Sequence, residues 1–334
     1  MDKKIINRPE NAVAEFFEGF VAANERHYER IQGVSGLRYR ERRSGKVSLV
    51  VGGGSGHEPL FAGFVGRGLA DAVACGNIFA SPDPFTITEV AKSVDHTKGI
   101  LFLYGNYAGD NMNFDMAEEM LGDEGIKSAH YRVKDDCASA PAERRGNRRG
   151  VSGDYYAMKI AGAACDMGLS LDEVVAVCEK LDTNLCSFGL ATSPGQIPGS
   201  KVTTFAIDDD EIEFGIGVHG EPGIKRTKMQ TADELVAVMY DNITKDMPLD
   251  SGDRVCVLIN GMGSTTLMEL GIVYRRVREL LDSKGIAVYD STLGSYCTCM
   301  EMGGFFITVL KLDDELKKFY DTACFTPYIA KEGY

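Results

Sequence analysis

At 334 residues the chain exceeds a typical single core and suits two domains of about 150 residues each. Hydrophobic residues at 44% and charged residues at 25% exclude disordered, collagen-like and coiled-coil classes. A net charge of -13 argues against a nucleic-acid partner, because phosphate binding needs a clustered basic surface. The one basic cluster, Arg144, Arg145, Arg148 and Arg149, reads as a solvated face or a docking patch for an acidic partner.

The nine cysteines are odd in number and scattered through apolar segments, which predicts reduced thiols, no disulfides and a cytoplasmic protein. Cys297 and Cys299 form a CxC pair without a second pair or a nearby histidine, so no structural zinc is expected. There is no apolar stretch before Pro9 and no run of about 18 apolar residues, so neither secretion nor membrane insertion is expected.

A first helix should open at Asn7 as cap, with Pro9 in its first turn and Val13, Phe16, Phe17, Phe20 and Val21 on one face. Val47–Val51 reads as a buried strand running into GGGSGHEP, Gly52–Pro59. Ile100–Tyr104 repeats the arrangement and ends in GNYAGDNMNF, which puts Asp110 in a loop at a strand's carboxyl end, where open α/β sheets bind ligands. A helix around Met112–Leu121, a short strand near Tyr131–Val133 and helices over Ser152–Met167 and Leu171–Leu181 continue the alternation. The second half begins near Thr183. A strand is expected at Val202–Ile207, and Asp208–Asp210 should form a solvated turn into the strand carrying FGIGVHGEPG, Phe214–Gly223. Further strands at Val255–Ile259, Ala287–Asp290 and Phe305–Leu312 follow, with Ser264 or Thr265 capping an intervening helix and a last helix starting at Asp313-Asp314. The fold class is α/β, with two α/β domains, 1–183 and 184–334, each a mixed sheet flanked by helices.

Of the five histidines, His27, His96 and His130 lie in polar surroundings and read as surface residues. His57, Asp110 and His219 instead sit on separate glycine-flanked segments. In Phe214–Gly223 four glycines surround His219, a pattern that fits both a tight hairpin with a structural histidine and a ligand site. Two histidines and a carboxylate suit zinc or iron, or metal-free work as nucleophile, polariser and base. GxxxxGK(S/T) and GxSxG are absent, and GGGSGH is not GxGxxG, so the residues offer a small-molecule site without an evident nucleotide site.

GGGSGHEP, NIFASPDP, GNYAGDNMNF, FGIGVHGEPG and NGMGSTTLMEL, in that order and spanning nearly the whole chain, resemble the substrate-binding K subunit of dihydroxyacetone kinases. The resemblance implies a homodimer that binds no cofactor or metal itself. ATP or ADP with Mg2+ would sit on a separate L subunit, supplied directly or through a phosphocarrier protein. It makes His219 the nucleophile whose ring nitrogen adds to the substrate ketone as a hemiaminal, selecting ketoses over polyols. His57 would bond the oxygen and accept a proton, Asp110 would deprotonate the terminal hydroxyl, and Gly54, Ser55 and Gly56 would line the substrate. The family also includes ketone-binding co-activators that do not phosphorylate; Asp110, which a sensor does not need, favours the kinase.

One position departs from the family. Gly105, with Ala108 three residues on, stands in GNYAGD where the family has a substrate-bonding lysine in KNYTGD. The expectation is either a roomier site for a four-carbon ketose such as erythrulose, with Gly105 in its wall, or replacement of the lysine by Arg148 or another cation.

Overall fold

A computed structural model describes residues 4–333. The chain forms two compact units: Met1–Arg132, Tyr156–Glu179 and Leu316–Tyr334 make the first, Val133–Tyr155 and Lys180–Glu315 the second. A single break between residues 183 and 184 is therefore not the path the chain takes. The crossing at Glu179/Lys180 lies close to it, but two further segments change unit. Backbone bonding decides both: Ser187 donates to the Asp135 carbonyl, and Phe325 donates to the Arg67 carbonyl. Hydrophobic patterning reports that such segments are buried, not which unit they join.

In the first unit, α1 (Ala12–Ala23) buries Phe17 and Phe20. Asn7 bonds the Glu15 carboxylate rather than capping the helix, which is entered through a 3-10 turn at Pro9–Asn11. The mixed sheet contains β1 (Tyr28–Arg30), β2 (Gly36–Tyr39), β3 (Ser48–Ser55), β4 (Ala72–Ile78), β5 (Ile100–Gly105) and β6 (Ser128–Val133), ordered β1-β2-β4-β3-β5-β6. β3 is parallel to both β4 and β5, so the segments after Ser55, Ile78 and Gly105 emerge on one edge of the sheet. Helices α2 (Pro84–Lys92) and α3 (Ala108–Asp123) follow β4 and β5, and their Ile87, Val90 and Phe114 pack with Val50, Phe102 and Tyr104. This unit also takes in α4 (Asp154–Asp166), which starts at the unit boundary, α5 (Leu171–Glu179), and most of a last helix over Asp314–Tyr320, which starts at the second boundary as Asp313-Asp314 led one to expect.

The second unit runs through α6 (Leu181–Asn184), β7 (Leu185–Ser193), β8 (Glu211–Phe214), β9 (Lys225–Lys228), α7 (Ala232–Asp246), β10 (Arg254–Gly261), α8 (Leu267–Ser283), β11 (Ala287–Gly294) and β12 (Gly303–Leu312). Its sheet is also mixed, ordered β11-β10-β12-β7-β8-β9. Capping boxes start α7 at Thr231 and Glu234 and α8 at Thr266 and Glu269, so Thr266, not Ser264 or Thr265, caps the latter. Val202–Ile207 is not a strand: Thr203 makes one isolated bridge to Gln196, and Val202 is 73% exposed, so no apolar face holds the segment on the sheet. The arginine cluster is a solvated face only in part: Arg144 is exposed, whereas Arg148 and Arg149 turn inward. Arg148 is buried with a fork of bonds to the partly buried Asp246, and Arg149 pairs with the buried Asp136, since a buried charge needs a counter-charge.

Candidate functional site

In the first unit three segments converge at the carboxyl ends of β3, β4 and β5. Strand β3 continues through the glycines to Ser55, further than the expected Val51, because residues without Cβ atoms let the next segment lie directly on it. A Cβ on Gly54 would stand 2.9 Å from the Ala80 nitrogen, and one on Gly56 would meet the Phe79 ring at 2.7 Å. Ser55 Oγ donates to the Gly76 carbonyl (2.8 Å), and the Gly56 N–H is held by the Glu58 carboxylate (3.0 Å). His57 is buried with its ring 5.0 Å from that of Phe79. Two residues further on, Ser81 Oγ donates to Asp110 Oδ1. Residues 79–81 thus tie the His57 and Asp110 segments together. Asp110 lies in the first turn of α3, not in a loop, beside the partial positive charge of the helix N-terminus. Gly105, the buried last residue of β5, accepts from the Tyr107 N–H and opens the turn into that helix.

His219 belongs to the second unit. It does not lie on a strand. β8 and β9 pair as an antiparallel hairpin from Glu211–Lys228 to Phe214–Lys225, and residues 215–224 form the loop between them. Within that loop Glu221 folds back over His219: its Oε2 accepts from the His219 backbone N–H at 2.9 Å, and its Oε1 lies 2.8 Å from Nδ1. Burial alone would raise the Glu221 carboxyl, but the bonds and charge from His219 outweigh it and bring the pKa down to about 2. An ionised carboxylate only accepts, so Nδ1 is the nitrogen that donates, and in a neutral ring the lone pair is then on Nε2. Gly217 is what makes room, since a Cβ there would stand 2.2 Å from Glu221 Oε2. Arg149 closes the base of the loop, donating to Asp136 through Nε (2.9 Å) and to the Gly215 carbonyl through Nη2 (3.2 Å), with Nη1 4.0 Å from Glu221 Oε2.

Phe79, Ser81, Glu221 and Arg149 are the residues that sequence reasoning left without a role. The first two lie in NIFASPDP, and Glu221 lies two residues after the histidine. Arg148 does not replace the lysine absent at Gly105, because its guanidinium is committed to Asp246 and the Ala140 carbonyl.

Among the described residues, Asp115, Glu118 and His130 alone have metal-ligand spacing. They are already engaged: Arg132 pairs with Asp115, His130 Nε2 lies 2.7 Å from Glu118, and its Nδ1 lies 3.0 Å from the Tyr104 hydroxyl. His130 is therefore part of a buried-edge network and not the surface residue its polar neighbours suggest. Asp210 pairs with Lys228 across the hairpin, as a solvated turn should. All nine cysteines are free thiols. Among the described residues no helix is long and apolar enough to cross a membrane.

Residues 18–328 match the Dak1 domain family. The chain is 43% identical, over 98% of both sequences, to a Listeria innocua protein named PTS-dependent dihydroxyacetone kinase 2, dihydroxyacetone-binding subunit DhaK. It is 39% identical over 98% of its own length, and 56% of the relative's, to an L-erythrulose kinase of Pectobacterium atrosepticum. The crystal structure of the C. freundii dihydroxyacetone kinase superposes with a TM-score of 0.90 at 28% identity, covering 99% of this chain and 61% of that one. A match over nearly the whole sequence, with the expected pair of mixed sheets, makes this chain a member of the Dak1 domain family.

Proposed function

We propose that the chain is the substrate-binding subunit of a dihydroxyacetone kinase, holding a small ketose covalently on His219 while its terminal hydroxyl is phosphorylated. The single observation that carries this is the His219–Glu221 pair, which leaves a nucleophilic lone pair on Nε2 of a histidine set among glycines. The names of the relatives supply the substrate class. Asp110, in a helix first turn and oriented by Ser81, acts as general base toward the hydroxyl. His57 bonds the substrate oxygen, and Gly54, Ser55 and Gly56 form the wall beside it. Phosphoryl transfer then needs mainly positioning and charge neutralisation: a separate L subunit would hold ATP, or ADP rephosphorylated in place, as donor, with Mg2+ neutralising the phosphate charge. The PTS-dependent name of the Listeria relative supports a phosphocarrier protein as the source of the phosphoryl group. The working form is a cytoplasmic homodimer.

Gly105 favours a second reading, in which the substrate is a four-carbon ketose. The position offers neither a long side chain nor a donor, and the likeness to an L-erythrulose kinase supports it. One assay tests both readings: phosphorylation of dihydroxyacetone, D-erythrulose and L-erythrulose by this chain with its L subunit. Phosphorylation of none of them overturns the kinase function. A strong preference for dihydroxyacetone overturns the four-carbon reading, whereas a preference for erythrulose that Gly105→Lys reverses supports it.

A further inference from the structure

We propose that Glu221 is a positioning residue that holds His219 as the Nδ1–H tautomer and balances the charge its ring gains on attack, while Arg149, anchored on Asp136, holds the loop in which the pair forms. This rests on the reading of His219 as the nucleophile. A neutral imidazole has one protonated and one lone-pair nitrogen, and only the latter can form a bond to carbon. Glu221 makes that choice twice over. One oxygen is fixed by the His219 backbone N–H at 2.9 Å, so the other is delivered to Nδ1 of the same residue at 2.8 Å.

The addition balances as follows. The Nε2 lone pair forms the N–C bond, the carbonyl π pair moves to oxygen, and that oxygen takes one proton from a water molecule, whose hydroxide passes to the solvent. The ring becomes an N-substituted imidazolium whose Nδ1–H remains donated to Glu221. A carboxylate already in place stabilises this charge without moving, which is the role an acid plays behind a catalytic histidine in hydrolases. Arg149 supports the same geometry from below. Its bonds to Asp136 and the Gly215 carbonyl fix the start of the loop, and its remaining nitrogen faces Glu221 Oε2 at 4.0 Å.

The test combines nitrogen-15 NMR of the histidine rings with ketose titration. In the unaltered chain His219 Nδ1 is expected to resonate as a protonated nitrogen and Nε2 as a lone-pair nitrogen. In Glu221→Gln the carbonyl oxygen should keep the backbone N–H and turn the amide NH2 toward Nδ1. That reverses the tautomer and should weaken dihydroxyacetone binding at least tenfold. An Nε2-protonated ring in the unaltered chain overturns the proposal even if the variant fails to fold. So does a Glu221→Gln variant that binds ketose unchanged while His219→Ala loses it. If His219→Ala binds ketose as tightly as the unaltered chain, it is the nucleophile reading itself that fails.

Discussion

Replacing Gly217 with alanine should disable His219 without touching it. The added Cβ would stand 2.2 Å from Glu221 Oε2, against 3.4 Å for an ordinary contact, and 2.7 Å from Arg149 Nη1. With Arg149 pinned by Asp136 and the Gly215 carbonyl, the carboxylate is the group that must retreat. A retreat of about 1.2 Å takes its bonds to Nδ1 and to the His219 N–H to about 4 Å, beyond hydrogen-bonding range. Two charge-assisted bonds at about 1.5–3 kcal/mol each set the upper limit of the cost. Glu221 is 28% exposed and would be rehydrated, so about 2 kcal/mol is the expected net loss. For a unit of this size that lowers the melting temperature by roughly 4–8 °C. Differential scanning calorimetry and ketose titration check both parts, with ketose binding falling far more than stability. An alanine variant that melts and binds like the unaltered chain refutes the steric reasoning.

Three further outcomes follow from the structure. His219→Ala should lose tight ketose binding while keeping some turnover at high substrate, and Asp110→Ala should bind ketose but lose turnover; titration and a coupled phosphorylation assay separate the two. Asp246→Ala should cost about 3–5 kcal/mol in denaturant unfolding, because it strands the buried Arg148 guanidinium without its partner. The Glu221 carboxyl, at about 2 in the folded chain against 4.5 for a free glutamate, should make stability rise with pH between those values. Its contribution is present above 4.5 and lost as the pH falls through 2, and Glu221→Gln should flatten that part of an acid-unfolding curve.

The alternation of buried strands and helices was legible because Val50, Phe102 and Val257 lie in continuous apolar runs bounded by glycines. His57, Asp110 and His219 stand out in the sequence as polar groups near glycines; the structure ties the His57 and Asp110 segments together through residues 79–81 and puts His219 in a hairpin loop. Other features were hidden for identifiable reasons. β7 ends in a glycine-bearing, half-polar stretch, FGLATS, and β4 contains Gly76, so neither shows clean patterning. The edge strand β9, KRTK, is charged because an open edge must resist pairing, and charge removes the strand signal. Arg148 and Arg149 read as surface until their partners, Asp246 and the buried Asp136, are seen. Glu221 looked like one more polar loop residue; only the fold of the loop turns its carboxylate onto Nδ1.

Covalent capture at His219 is tested most directly by carbon-13 NMR of dihydroxyacetone labelled at the carbonyl carbon, mixed with the unaltered chain and with His219→Ala. With the unaltered chain the bound carbon should leave the carbonyl region for that of a tetrahedral carbon bonded to oxygen and nitrogen, and with the variant it should not. A bound ketose whose labelled carbon stays a carbonyl, or whose tetrahedral signal persists in His219→Ala, would contradict it.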